Sequence, residues 1–192
     1  MSKFLISLFT LLGMAAYASA QTGTWQIDPA HSSAQFAVRH LGVSTVRGAF
    51  TKVSGSATYD PADPSKTTLT AAIEASSVDT RVEMRDKDLR SPNFFDVEKF
   101  PTITFTSTQV KAAGSGKLQI IGDLTIHGVT KEVTLDVDGP STPIKDPMGN
   151  QRIGASATTR VNRRDFGVNG APTVAGDDVS ITIDAELIQK AR

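Results

Sequence analysis

Apolar and polar residues alternate with a period of two along most of the chain. Ala34, Phe36, Val38 and His40 interleave with Ser33, Gln35, Ala37 and Arg39, and Val46, Gly48 and Phe50 with Thr45, Arg47 and Ala49. The same rhythm returns around Leu69–Ala75, Ile103–Phe105 and Ile153–Val161. It is cleanest where Val179, Ile181, Ile183, Ala185 and Leu187 alternate with Asp178, Ser180, Thr182, Asp184 and Glu186. Strict alternation is the mark of strands with one buried and one wet face. Turn residues such as Asp60-Pro61, Gly114-Ser115-Gly116 and Pro147-Met148-Gly149-Asn150 separate the runs. The pattern predicts about eight antiparallel strands in a sandwich or barrel.

One hairpin can be set in register. With His127-Gly128 as a two-residue turn, Ile126 faces Val129, Gly122 faces Val133, Ile120 faces Leu135 and Leu118 faces Val137. Lys117 then opposes Asp138 on the wet face, and a slip of one residue would set apolar against polar along the ladder. Gly128 is the residue that a primed turn demands. Asp123 opposite Glu132 and Lys131 opposite Leu124 are the poorer pairs.

Between Asp79 and Arg90 the alternation stops and charge becomes dense. Thr80-Arg81-Val82-Glu83 has the form of a capping box, and Glu83 and Lys87 stand in the favourable i,i+4 order. This predicts a short helix, followed at Ser91-Pro92 by a turn that carries Phe94 and Phe95. Pro140 to Asn150 is expected to be a surface loop.

The N-terminus reads differently. Lys3, the apolar stretch Phe4 to Leu12 and the small residues Ala18-Ser19-Ala20 follow the order of a cleavable secretory signal. The apolar stretch is short for a membrane span, which needs roughly 20 residues. Residues 1–20 are therefore expected to be a signal peptide and residues 21–192 one exported domain, with no stable membrane insertion after cleavage. The chain holds 192 residues with a formal net charge of zero. That balance gives no electrostatic reason to expect nucleic acid as a partner. There is no cysteine, so disulfides, thiolate chemistry and cysteine metal sites are all excluded.

Catalytic motifs are scarce. His31, His40 and His127 show no metal-ligand spacing, and no neighbouring carboxylate completes a set. Gly114-Ser115-Gly116-Lys117 resembles the end of a phosphate loop but joins two strands and precedes no helix. Asn162-Arg163-Arg164-Asp165-Phe166-Gly167 carries no kinase context, and its arginines read as solvated or paired with Asp165. A binder is expected rather than an enzyme, with no metal and no cofactor beyond a bound lipid.

A closed barrel of about eight strands is just wide enough to be filled by side chains or to hold one ligand. Gly48, Ala71, Ala75, Gly122, Ala155 and Ala157 fall on the inner face, where small residues would leave space. Phenylalanines cluster at positions 94, 95, 100 and 105, with Phe36 and Phe50 on early strands. A solid core and a hollow lumen both fit this pattern.

Longer stretches bear on the choice. Asp28-Pro29-Ala30-His31-Ser32, Phe36-Ala37-Val38-Arg39-His40, Gly48-Ala49-Phe50 and Ala75-Ser76-Ser77-Val78-Asp79-Thr80 occur in order. Phe94-Phe95-Asp96-Val97, Phe100-Pro101-Thr102-Ile103-Thr104-Phe105, Leu124-Thr125-Ile126-His127-Gly128-Val129-Thr130-Lys131 and Arg164-Asp165-Phe166-Gly167 follow them. This series resembles the YceI-like family over nearly the whole of residues 21–192. The family commonly has His where this chain has Asp88 and Asp where it has Asn93.

The resemblance implies an all-β fold: a lipocalin-like extended antiparallel β-barrel of about eight strands, with a short helical segment near residues 80–96. It implies a lumen that binds an isoprenoid amphiphile such as a polyprenyl phosphate or an isoprenoid quinone, typically in the bacterial periplasm, and a homodimer. On that expectation Phe36, Val38, Phe50, Phe94, Phe95, Phe105, Leu124 and Ile126 line the lumen, and Arg85 or Arg90 meets a polar head group. The alternatives are another long-chain amphiphile, such as a fatty acid or amide, an enzyme that modifies such a lipid with His31 and His40 as acid or base, and a solid β-sandwich without a ligand.

Overall fold

The alternating runs form strands in a computed structural model that describes residues 23–60, 63–114 and 116–190. The expected signal peptide lies outside the described residues. Among the described residues there are twelve strands: β1 (Gly23–Ile27), β2 (Ser33–His40), β3 (Ser44–Phe50), β4 (Val53–Tyr59), β5 (Thr68–Glu74), β6 (Val78–Asp79), β7 (Thr102–Ala112), β8 (Lys117–Ile126), β9 (Val129–Asp138), β10 (Ile144–Lys145), β11 (Gln151–Asn162) and β12 (Ala175–Gln189). Eight of them close a ring in the order β12–β11–β9–β8–β7–β5–β4–β1 and back to β12, all antiparallel. The lipocalin-like all-β barrel expected from the sequence is the observed fold.

β12 is the closing strand. One edge pairs with β11 from Asp178 to Gln189. Its other edge is shared: Leu187 and Ile188 pair with β1, while Ala175 to Asp184 pair with β2. β2 carries β3, and β3 carries the two-residue β6, so a small flap extends the barrel wall at one end.

The predicted hairpin appears in the expected register, from Lys117 opposite Asp138 to Ile126 opposite Val129. Its turn residues His127 and Gly128 have φ of 51° and 74°, the left-handed pair of a type I′ turn, which matches the strand twist. The His127 ring packs against Phe100 with centroids 4.5 Å apart and the planes inclined by 60°.

The helix α1 (Glu83–Arg90) is present, but its start differs from the expected capping box. Val82 is the N-cap and offers no side-chain bond. Thr80 instead reaches Asp86, whose carboxylate accepts both the Thr80 N–H, at 2.9 Å, and its hydroxyl. The box is thus longer than the motif assumes, because Thr80 still belongs to the extended chain leaving β6. The Pro140–Asn150 segment is a loop that also contains β10, paired with the start of β11.

Burial divides the barrel in two. At the end where β1 meets β12, Trp25, Ala57, Ile153 and Leu187 form a solid plug. The rest of the interior belongs to one large cluster that runs to the opposite end, where α1 and the turn carrying Phe94 and Phe95 pack against it.

Candidate functional site

The second half of the barrel is incompletely filled. A cavity of about 170 Å³ lies there, and its accessible wall is entirely apolar. Its lining comes from the lumen-facing positions at one end of the barrel: Phe36 and Val38 of β2, Ile103 and Phe105 of β7, Leu124 and Ile126 of β8, Val133 and Leu135 of β9, Val161 of β11 and Val179 and Ile181 of β12. Leu89 of α1 and the following Phe94 and Phe95 close it from outside the ring. The volume is close to that of an engineered cavity of about 150 Å³ that admits benzene. One isoprene unit, which has fewer carbons than benzene, fits without movement, and a longer chain requires side chains to part.

The aromatic rings are arranged as a chain of contacts. Phe36 and Phe50 have centroids 5.8 Å apart, and Phe50 meets Phe95 edge-on at 5.5 Å. Such geometries place ring edges against ring faces and add about 0.5–1.5 kcal/mol each beyond burial.

The small inner residues do not leave empty space of themselves, contrary to the expectation. They admit the rings. A Cβ on Gly48 would lie 2.4 Å from the tip of the Phe36 ring, and one on Gly122 would lie 2.6 Å from Phe105. Gly170, on the loop before β12, receives Phe94 in the same way at 2.5 Å. Ala75 is fully buried in the packed core. The lumen is thus a gap between rings seated on glycines.

Of the residues expected at the site, Phe36, Val38, Phe50, Phe94, Phe95, Phe105, Leu124 and Ile126 converge on this cavity. Arg85 and Arg90 do not line it. Arg85 donates to the Thr80 hydroxyl and carbonyl at 2.7 and 2.9 Å, and Arg90 donates to the carbonyls of Ser76 and Val78 at 2.8 and 2.7 Å. Both guanidiniums tie α1 to the segment before it.

The sequence reading missed Arg163. This residue is only 6% exposed, borders the cavity, and donates to the carbonyls of Val168, Gly170, Ala175 and Gly176 at 2.7 to 3.1 Å. Burial pushes its pKa down from the usual arginine value, and Asp177 at 3.4 Å opposes that shift. Arg164 bonds the same Asp177 at 2.6 Å. The expected pairing with Asp165 is therefore replaced by Asp177, because the turn at residues 163–166 directs both arginines toward the start of β12. An arginine next to a Phe-Gly turn gives no sequence signal of burial, since its partners are backbone atoms.

The histidines do not assemble into an acid–base pair. His31 precedes β2 and His40 ends it, so the strand's length separates them, and neither lines the cavity. His31 does have carboxylates beside it, which spacing alone did not reveal. Its Nδ1 lies 2.8 Å from Asp28, and Glu186 joins the two to form a group with ligand atoms within 4.8 Å of one another. Arg152 already supplies positive charge to that group. Its guanidinium contacts Asp28 at 3.0 Å, Asp146 at 2.8 Å and Glu186. The arrangement is an ion network bracing the solid end of the barrel.

The two departures from the family pattern fall on partners. Asn93 Nδ2 donates to Asp88 Oδ1 at 3.0 Å, which ties the turn after α1 to the helix end.

Fold and cavity define a closed antiparallel barrel with an apolar lumen at one end and a solid core at the other. A YceI-like domain model matches residues 25–187, and the chain belongs to that family. It is 36% identical over 194 residues to Protein YceI of Escherichia coli O157:H7, covering 99% of this chain and all of that one. It is 38% identical over 190 residues to a UPF0312 protein of Serratia proteamaculans, covering 94% and 97% of the two chains. Among solved structures, a YCEI protein of Campylobacter jejuni superposes with a TM-score of 0.69 at 28% identity, over 97% of this chain and 100% of that one. A polyisoprenoid binding domain from Saccharophagus degradans, implicated in plant cell wall breakdown, shares the fold with a TM-score of 0.64 at 15% identity, over 88% and 100%.

Proposed function

We propose that this protein is a periplasmic carrier or buffer for an isoprenoid amphiphile, a polyprenyl phosphate or an isoprenoid quinone, held by its chain in the barrel lumen. The observation that carries this reading is the wholly apolar cavity confined to one half of the barrel and walled by aromatic and aliphatic side chains. An apolar chain gains roughly 0.8 kcal/mol for each methylene it buries there, and no polar wall atom offers a competing site for water. The shared fold of the Saccharophagus degradans polyisoprenoid binding domain supports the same reading. The charge, apolar stretch and small residues of positions 1–20 support the periplasmic location.

The test is organic extraction of the purified protein followed by mass spectrometry, with uptake of prenyl lipids measured in parallel. Recovery or uptake of an isoprenoid is the expected result. A protein that is empty and also refuses prenyl lipids overturns the proposal. Recovery of a fatty acid or amide would keep the lumen and replace the isoprenoid.

A further inference from the structure

The cavity lining comes from strands and from two stretches outside the strands. Leu89, Phe94 and Phe95 belong to α1 and the turn after it, and Arg163, Phe166 and Val168 to the stretch before β12. The strands are joined by backbone ladders, such as β11 with β12 over Gln151–Asn162 and β8 with β9 over Lys117–Ile126. Parting a ladder would leave backbone N–H and C=O groups that an apolar chain cannot satisfy. The way in for a long chain therefore lies at one of the two other stretches.

These two are fastened differently. Arg163 stitches the stretch before β12 through the carbonyls of Val168, Gly170, Ala175 and Gly176, and Leu41 N–H holds the Val174 carbonyl at 2.8 Å. Residues 82–100 are bonded mainly to themselves. Phe95 N–H donates to the Leu89 carbonyl at 3.0 Å, Val97 N–H to that of Arg90 at 3.1 Å and Phe100 N–H to that of Asp96 at 2.8 Å, so helix and turn form one unit. Among the described residues, hydrogen bonds leave this unit only for Ser76, Val78 and Thr80, through Arg85, Asp86 and Arg90. Toward the lumen it makes none. There Phe95 meets Phe50 edge-on, Phe94 sits over Gly170, and Leu89 faces the cavity. A body tied along residues 76–80 and elsewhere held by apolar contact opens about the tied residues at the least cost.

We infer that residues 82–100 are a hinged lid, which turns about its bonds to residues 76–80 and admits a prenyl chain in place of Leu89, Phe94 and Phe95. The entering chain covers the apolar wall that these three side chains uncover, so the open state is stabilised by the cargo itself. The closed cavity of about 170 Å³ takes a single isoprene unit, and a longer chain keeps the lid raised. This inference rests on the carrier reading for its ligand and adds the route by which that ligand enters.

The experiment uses geranylgeraniol as the probe and pairs of nitroxide spin labels, which attach uniquely because the chain has no cysteine of its own. Met84→Cys/Thr158→Cys sets one label on an exposed position of α1 and the other on an exposed position of β11. Thr106→Cys/Thr158→Cys sets both on strands, β7 and β11, at exposed positions. Electron–electron double resonance reads each separation with and without geranylgeraniol. The lid pair is expected to gain a longer distance on binding, and the strand pair to keep its own. Gly170→Ala tests the same lid without added lipid. Its Cβ would lie 2.5 Å from the Asn93 carbonyl oxygen and 2.5 Å from the Phe94 ring, and Arg163 holds the Gly170 side, so the lid yields. This variant should show the longer lid distance when empty and take up geranylgeraniol about fivefold faster or more, since the closed state no longer withholds the site. Uptake with an unchanged lid pair, or with any change in the strand pair, overturns the lid. So does uptake at the wild-type rate by a Gly170→Ala protein whose circular dichroism is native. A protein that takes up no geranylgeraniol, while Gly170→Ala lengthens the lid pair, keeps the lid and removes the prenyl cargo. No uptake and an unchanged lid pair in Gly170→Ala removes both.

Discussion

Arg163 shows how one side chain can organise the lumen end. It donates to four carbonyls, two in the irregular stretch before β12 (Val168 and Gly170) and two at the first residues of β12 (Ala175 and Gly176). Truncation would leave those carbonyls buried and Asp177 short of a partner. Arg163→Ala is expected to cost about 3 kcal/mol or more, read as a lower midpoint in urea unfolding. Arg163→Lys should recover only part of that, since an ammonium cannot span the same fork of acceptors. At the same scale the glycines explain the phenylalanines. Sequence reading identified both sets of residues but took the glycines as vacancies, because volume alone does not say which ring fills a gap. Six of the eight apolar residues that converge on the cavity lie on strands, where period-two alternation fixes which face a side chain joins, while Phe94 and Phe95 follow α1 and were placed by the family resemblance. Arg85 and Arg90 were not, because charge and position do not reveal backbone acceptors nearby.

Among the elements, the β8–β9 hairpin was fully legible: its apolar faces and turn residues demand one register, and that register is observed. The β2–β3–β6 flap was not, since nothing in alternation tells which strand takes up the second edge of β12. The solid end shows an element-level dependence on acid. Arg152 joins Asp28 beyond β1, Asp146 before β11 and Glu186 on β12. Hydrogen bonding from Arg152 holds the Asp146 pKa down from 3.8 to about 2, and the bond to His31 lowers that of Asp28. A carboxylate with a depressed folded pKa stabilises the fold above its unfolded value and loses that contribution as pH falls through the folded one. Thermal melts should therefore show stability falling as pH drops from about 3.8 toward about 2. In Arg152→Met the melting temperature should be lower near neutral pH, and its fall across that window should be shallower.

At the level of the whole molecule, the cavity sets a limit on cargo. A volume of about 170 Å³ takes a small apolar group at once, and a long chain only when rings and the α1 segment shift. Val133→Phe adds a ring to the lumen wall beside Gly122, on which the Phe105 ring is seated. It is expected to lower prenyl-lipid uptake about tenfold, equivalent to about 1.4 kcal/mol, while destabilising the fold by about 1–3 kcal/mol through overpacking. Titration with a fluorescent prenyl probe and urea unfolding measure the two effects separately. Among the described residues no helix is long and apolar enough to cross a membrane.

β12 has a bearing on how the chain reaches this shape. Fifteen residues near the end of the sequence supply the partner for three other strands. Until they join the sheet, β11, β1 and β2 each have an unpaired backbone edge, a template for pairing with other chains. The ring therefore closes last through its C-terminal strand, between segments far apart in sequence, a slow step by loop-closure entropy. A factor that shields those edges until β12 arrives would then raise the yield of the finished barrel.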